Sequence, residues 1–214
     1  MGFLIAVDGP AASGKGTIAA KLARLYGYPA LDSGLLYRAV GVRLLAEGGD
    51  LSDVAAATAV ARTLDPAELE KPEVRTRAAG EAASRVAIHT PVRECLRDFQ
   101  RAFAAQEPGA VIDGRDIATV IAPWAPAKLF VTASPEVRAE RRWRQLTAQG
   151  EAVEYADILA DIRIRDERDS GRSDSPMVRA DDAVLLDTSE MTIDGAFDAA
   201  RRIVEAARAN WSGN

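Results

Sequence analysis

FLIAVDGPAASGKGTIAAKLA, Phe3 to Ala23, joins an apolar run to a glycine-rich turn, a lysine and a helical pattern. Phe3, Leu4, Ile5, Ala6 and Val7 suit a strand buried on both faces. Ile18, Ala19, Leu22 and Ala23 recur at helical spacing. Between them runs Gly9-Pro10-Ala11-Ala12-Ser13-Gly14-Lys15-Gly16-Thr17, which contains the spacing Gly-x-x-x-x-Gly-Lys. A strand leading into such a loop, with a helix leaving it, binds polyphosphate. The backbone N–H groups wrap the anion, the helix turns its positive end toward it, and the lysine bridges the outer phosphates.

Composition narrows the rest. A chain of 214 residues holds one α/β domain with small appendages. Apolar residues make up 48% of it, as in a soluble globular protein, and no apolar run reaches the length of a membrane span. The N-terminus lacks the basic region and cleavage site of a signal peptide. The one cysteine, Cys95, excludes an intrachain disulfide, and the one histidine, His89, excludes catalysis by a histidine pair. A net charge of −5 argues against nonspecific nucleic-acid binding. The expectation is a cytoplasmic monomer acting on small molecules, away from membranes and nucleic acid. Arginine outnumbers lysine 23 to four, so an arginine becomes a phosphate ligand by placement alone.

Along the chain, strands are expected at Pro29–Asp32, Ala110–Asp113, Lys128–Ala133 and Ala183–Ser189. Leu35, Leu36, Ala39, Val40 and Leu44 make a helical face that ends at the EGGD stretch, Glu47–Asp50. Residues 51–108 are alanine-rich and helix-like, with breaks at Pro66, Pro72 and Pro91. Ser134 is a helix N-cap with Pro135 at the first helical position. A helix spans Tyr155–Asp169 with Leu159 and Ile162 on one face, and another spans Thr192–Trp211. Strands alternating with helices imply a parallel sheet covered on both faces, with ligands at the carboxyl ends of its strands. Asp32-Ser33 and Asp113-Gly114-Arg115-Asp116 follow strands, as the phosphate loop does.

Three further stretches follow in order: LDSGLLYRAV (Leu31–Val40), VIDGRDIATVIAP (Val111–Pro123) and IRIRDERDSGRSDSP (Ile162–Pro176). With the phosphate loop they resemble the bacterial cytidylate kinase family over nearly the whole chain. Glycine follows Lys15 where the general motif has Ser or Thr for Mg²⁺, and Thr17 comes one later. This Gly-Lys-Gly-Thr form is similar to that of nucleoside monophosphate kinases, and it leaves the direct ligands of Mg²⁺ unassigned. The resemblance implies a three-layer P-loop kinase fold over residues 1–214, with a central parallel sheet. It also implies a helical acceptor-binding region at about 51–108 and a short lid at about 154–178. It implies ATP with Mg²⁺ as phosphate donor and CMP or dCMP as acceptor.

The same resemblance implies that Ser33, Arg38 and Arg115 hold the acceptor's phosphate. Lys15, Arg115, Arg165 and Arg172 act on the transferred group, the last two from the lid. Ser84, Arg93 and Asp116 read cytosine, and Asp169 touches the sugar. Read without the resemblance, Arg38 is also placed to pair with Glu47 or face solvent, and His89 is structural or exposed. Family members often carry a strand-rich insert, whereas ARTLDPAELEKPEVRTRAAGEAAS, Ala61–Ser84, is short and lacks strand alternation. Either the subdomain is trimmed to helices or base selectivity is altered. Acceptors of adenylate, uridylate or shikimate type, and a regulatory nucleotide-binding ATPase, stand as alternatives.

Overall fold

The computed structural model describes residues 2–212. Their contacts divide the chain into two compact units, one formed by the residues up to Ala30 and from Ala104 onward, the other by Leu31–Phe103.

The first unit is built on β1 (Phe3–Asp8), the middle strand of a five-stranded sheet of order β2-β3-β1-β4-β5. The other strands are β2 (Ala30–Asp32), β3 (Gly109–Gly114), β4 (Ala127–Thr132) and β5 (Val184–Asp187). β1 pairs in parallel with β3 (Ile5 opposite Val111) and with β4 (Val7 opposite Leu129), and β4 pairs in parallel with β5. Every residue of β1 is buried, as expected of a strand covered on both faces. Phe3, Ile5 and Val7 pack with Ile18, Ala19 and Leu22 of α1 (Lys15–Tyr26) and with Ala196, Ala200 and Val204 of α8 (Ile193–Ala209). A smaller core joins α6 (Pro135–Ala148) to α7 (Tyr155–Ser170) through Ala139, Leu146, Ile158 and Ile162. On α7 the buried pair is therefore Ile158 and Ile162, spaced by four, while Leu159 is only partly covered. Ser134 caps α6 by accepting from Val137 N, and Pro135 opens the helix.

The second unit is helical beyond the end of β2. It holds α2 (Ser33–Ala46), α3 (Val54–Arg62), two 3₁₀ turns at Pro66–Glu70 and Pro72–Arg75, α4 (Arg77–Val86) and α5 (Thr90–Ala104). Pro66 and Pro72 each begin a 3₁₀ turn. The break expected at Pro91 falls just before it, at residues 87–89 between α4 and α5, and Pro91 itself lies in the first turn of α5, where its missing N–H has no helical partner to lose. α2 and α4 approach closely, and a Cβ on Gly41 would fall 2.7 Å from that of Ala82.

Candidate functional site

β1 delivers the chain into the loop, and the sheet leaves only glycine room to turn there. Gly9 has φ +146, and a Cβ on it would sit 2.0 Å from the Val131 carbonyl oxygen of β4. The loop ends at Gly14, the N-cap of α1, in the left-handed region. No side chain caps α1, and its first turn holds no acid, so its positive end is not neutralised by its own sequence. Lys15, the first residue of α1, folds its Nζ back to the Pro10 carbonyl at 3.3 Å.

The loop after β3 is held by a carboxylate that sequence reasoning passed over. Asp8, at the end of β1, accepts from Ile117 N at 2.9 Å and Ala118 N at 2.8 Å. These amides open a single π-turn, Ile117–Ile121, directly after Arg115 and Asp116. Such turns often sit at functional sites. Burial pushes the Asp8 carboxyl up from 3.8 to about 6; the neighbouring Asp116 charge adds to this, while the two amides and Arg115 oppose it. A carboxyl with a raised folded-state pKa stabilises fully below its unfolded value and loses that contribution as pH rises through the folded one. Asp8 therefore contributes a fall in stability of about 3 kcal/mol between roughly pH 4 and pH 6.5, at about 1.4 kcal/mol per unit. Urea unfolding across that range should show the decline in the wild type and a flattened one in Asp8→Asn. Equal slopes would assign the ionisation elsewhere.

Three of the four arginines and lysines expected at the transferred group lie together. Asp169, near the end of α7, accepts from Arg115 Nε at 2.9 Å and from Arg172 Nη2, and Arg165 Nε stands 3.8 Å from its Oδ2. Burial pushes the Asp169 carboxyl up, but the charges of Arg115, Arg172 and Arg165 outweigh it and bring the group down to about 2. Asp116 is buried at the start of the π-turn.

In the second unit, Ser33 opens α2, buried, behind the Asp32 cap, which accepts from Gly34 N at 2.9 Å. Arg38 on the same helix donates from Nη1 to the carbonyls of Val74 and Thr76, at 3.1 and 3.0 Å. Glu47 is engaged by Arg43 instead, at 2.9 Å, so the pairing considered for Arg38 is taken by its neighbour one and a half turns on. Ser84 is buried on α4. Arg93 is only 2% exposed, stacks its guanidinium 5.3 Å from the Tyr37 ring centroid and donates to the Ala87 carbonyl at 3.3 Å. His89, half-buried, places Nε2 2.8 Å from the Leu51 carbonyl.

Beneath the loop lie further residues that the sequence did not single out. Arg138 of α6 grips Asp166 of α7 with both Nη atoms, at 2.9 and 2.5 Å, and Arg141 holds Thr188. Asp8 could have been noticed as the one charge in FLIAVD. Arg138 could have been noticed as a cation in the first turns of a helix, where acids are favoured.

A family model described as Cytidylate kinase matches residues 5–206. The chain is 72% identical over 211 residues to the cytidylate kinase of Caulobacter sp. (strain K31), covering 99% of this chain and 98% of that one. It is 63% identical over 207 residues to the cytidylate kinase of Xanthobacter autotrophicus (strain ATCC BAA-1158 / Py2), covering 97% and 99%. Among solved structures, an uncharacterized protein from Eubacterium ventriosum ATCC 27560 matches with a TM-score of 0.56 at 17% identity, over 95% of this chain and 99% of that one, a likeness of fold alone. With a parallel sheet, a phosphate loop at the end of its middle strand and a family match over nearly its whole length, the chain belongs to the cytidylate kinase family.

Proposed function

We infer that the protein transfers the γ-phosphoryl group of ATP to CMP or dCMP, giving ADP and CDP or dCDP. The observation that carries this reading is the gathering of Arg115, Arg165 and Arg172 on one carboxylate, in the unit that also holds the phosphate loop. Phosphoryl transfer between two anions is chiefly a matter of positioning and charge neutralisation. The loop amides from Gly9 to Thr17 and the Lys15 ammonium serve the phosphates of ATP. Arg115, Arg165 and Arg172 serve the group in flight, and their common carboxylate, Asp169, holds them near one another beforehand. The acceptor's phosphate oxygen is already anionic and attacks the γ-phosphorus without a general base, while the β–γ bridging oxygen departs with ADP.

For the acceptor, the second unit offers Ser33 and Arg38 to the phosphate and Ser84 and Arg93 to the base. The first unit offers Arg115 and Asp116. An arginine and a carboxylate complement the acceptors and amino donor on the cytosine edge. Asp113 Oδ2, 3.7 Å from where a Cβ of Gly16 would stand, and the hydroxyl of Thr17, next in sequence, are hard oxygen donors of the kind Mg²⁺ takes. Among the described residues no three His, Cys, Asp or Glu form a cage, so the ion would take most of its ligands from phosphate and water. When bound, it neutralises charge on the phosphate oxygens.

The test is kcat/KM for CMP, dCMP, UMP and AMP with the same Mg-ATP. CMP or dCMP should lead UMP by at least about tenfold, equal to about 1.4 kcal/mol. Arg93→Ala and Asp116→Ala should each shrink that lead. Equal use of UMP, AMP as the best acceptor, or nucleotide hydrolysis that needs no monophosphate would overturn the reading.

A further inference from the structure

The phosphate loop is held from behind. In a planar trans peptide the C=O and the following N–H point in opposite directions, so a pinned carbonyl aims the next amide the other way. Two carbonyls of the loop are pinned from that side. Ala11 O accepts from Arg138 Nη1 at 3.3 Å, and Ser13 O from Thr188 Oγ1 at 3.1 Å. The amides thereby turned the other way belong to Ala12 and Gly14. Ala12 sits at φ +59, a conformation costing about 1 kcal/mol or more for a residue with a side chain, and held only where its surroundings over-determine it.

The geometry around Thr188 decides where its single hydroxyl proton goes. Arg141 Nη1 donates to Oγ1 at 2.9 Å, and Arg141 Nη2 donates to the Thr188 carbonyl at 2.6 Å. Two carbonyls lie 3.1 Å from Oγ1, those of Ser13 and Thr132. The Thr132 carbonyl already accepts from Thr188 N at 2.8 Å, which leaves Ser13 as the acceptor in need. Thr188 is 2% exposed, so no water competes for that proton. Arg138 is equally constrained. Its Nε donates to the Ala133 carbonyl at 2.9 Å, and its two Nη atoms hold Asp166 while one also reaches Ala11.

We propose that Thr188 and Arg138 are positioning residues for the phosphate donor, preset from β5 and α6 to keep the Ser13 and Ala11 carbonyls turned away from the anion. Neither touches a substrate; each acts through the peptide it pins. The proposal rests on the phosphate-loop part of the kinase reading.

The experiment compares wild type, Thr188→Val, Thr188→Ser and Arg138→Lys by the Kd of Mg-ATP, kcat, the KM for CMP and thermal melting. Valine keeps the shape of threonine and removes the hydroxyl. Thr188→Val should weaken Mg-ATP binding about tenfold and lower kcat by a similar factor, with the KM for CMP within about twofold. Thr188→Ser, which keeps the hydroxyl, should recover the wild-type affinity. Arg138→Lys, which keeps the charge without the fork, should move in the same direction as Thr188→Val. Wild-type ATP affinity in folded Thr188→Val, or a KM for CMP that rises in step with the Kd for ATP, would overturn the proposal. If Thr188→Val fails to fold, the ratio between Arg138→Lys and wild type decides in the same way. Should the wild type bind ATP yet leave CMP unphosphorylated, the kinase reading fails on its own while the ATP affinities still judge the clamp.

Discussion

Lys15→Ala is expected to lower kcat by at least about 10²-fold while the protein stays folded. The lysine is the first residue of α1, half-buried, and its ammonium lies over its own loop at 3.3 Å from the Pro10 carbonyl. The core of α1 is made by Ile18, Ala19, Leu22 and Ala23, which the substitution does not touch. In the role proposed for it the ammonium would meet charge that develops as the γ-phosphoryl group departs, so its removal would act on the transition state more than on the fold. Turnover with Mg-ATP and CMP, beside a melting curve, checks both halves. A folded variant with near-normal turnover would remove the phosphate-loop assignment.

Asp169→Asn is expected to cost about 3–5 kcal/mol of stability. Asparagine keeps the shape of the side chain and removes the one negative charge shared by Arg115, Arg172 and Arg165. The Asp169 side chain is 4% exposed, so water cannot replace the lost charge. The pH dependence has a definite sign. A carboxylate held down from 3.8 to about 2 stabilises fully above its unfolded pKa and loses that contribution as pH falls toward the folded one. The span corresponds to about 2.5 kcal/mol at about 1.4 per unit. Urea unfolding at pH 7 and pH 3 should separate wild type from variant strongly at the higher pH and less at the lower. A difference below about 1 kcal/mol at pH 7 would mean that the arginines do not depend on this carboxylate.

Local chemistry was legible in the sequence; chemistry assembled by the sheet was not. FLIAVD announced β1 because five consecutive apolar residues have few uses other than a strand covered on both faces. Ser134-Pro135 announced the start of α6 because a cap and a first-turn proline act within four residues. Arg138 looked like any other member of a run that reads RAERRWR. Its meaning comes from Ala11, 127 residues earlier, and from Asp166, 28 later. Thr188 was invisible for the same reason, since its partner Ser13 lies 175 residues away and arrives only when β5 joins β4. Around Asp169, Arg165 and Arg172 stand at spacings of four and three that the sequence offers, whereas Arg115 comes from 54 residues away and is brought there only by the fold. In the second unit, the proline breaks located the 3₁₀ turns, but periodicity could not show that Arg93 lies buried against Tyr37.

The near-contact of Gly41 with Ala82 has a bearing on how the second unit opens. At that crossing only the Ala82 methyl lies between the two backbones, so any larger group at residue 41 would force α2 and α4 apart. The helix that begins at Ser33 and carries Arg38 thus packs directly on the helix that carries Ser84. Native-state hydrogen exchange should find the central amides of both helices opening in one cooperative event, at a common free energy, while those of α3 exchange on their own schedule.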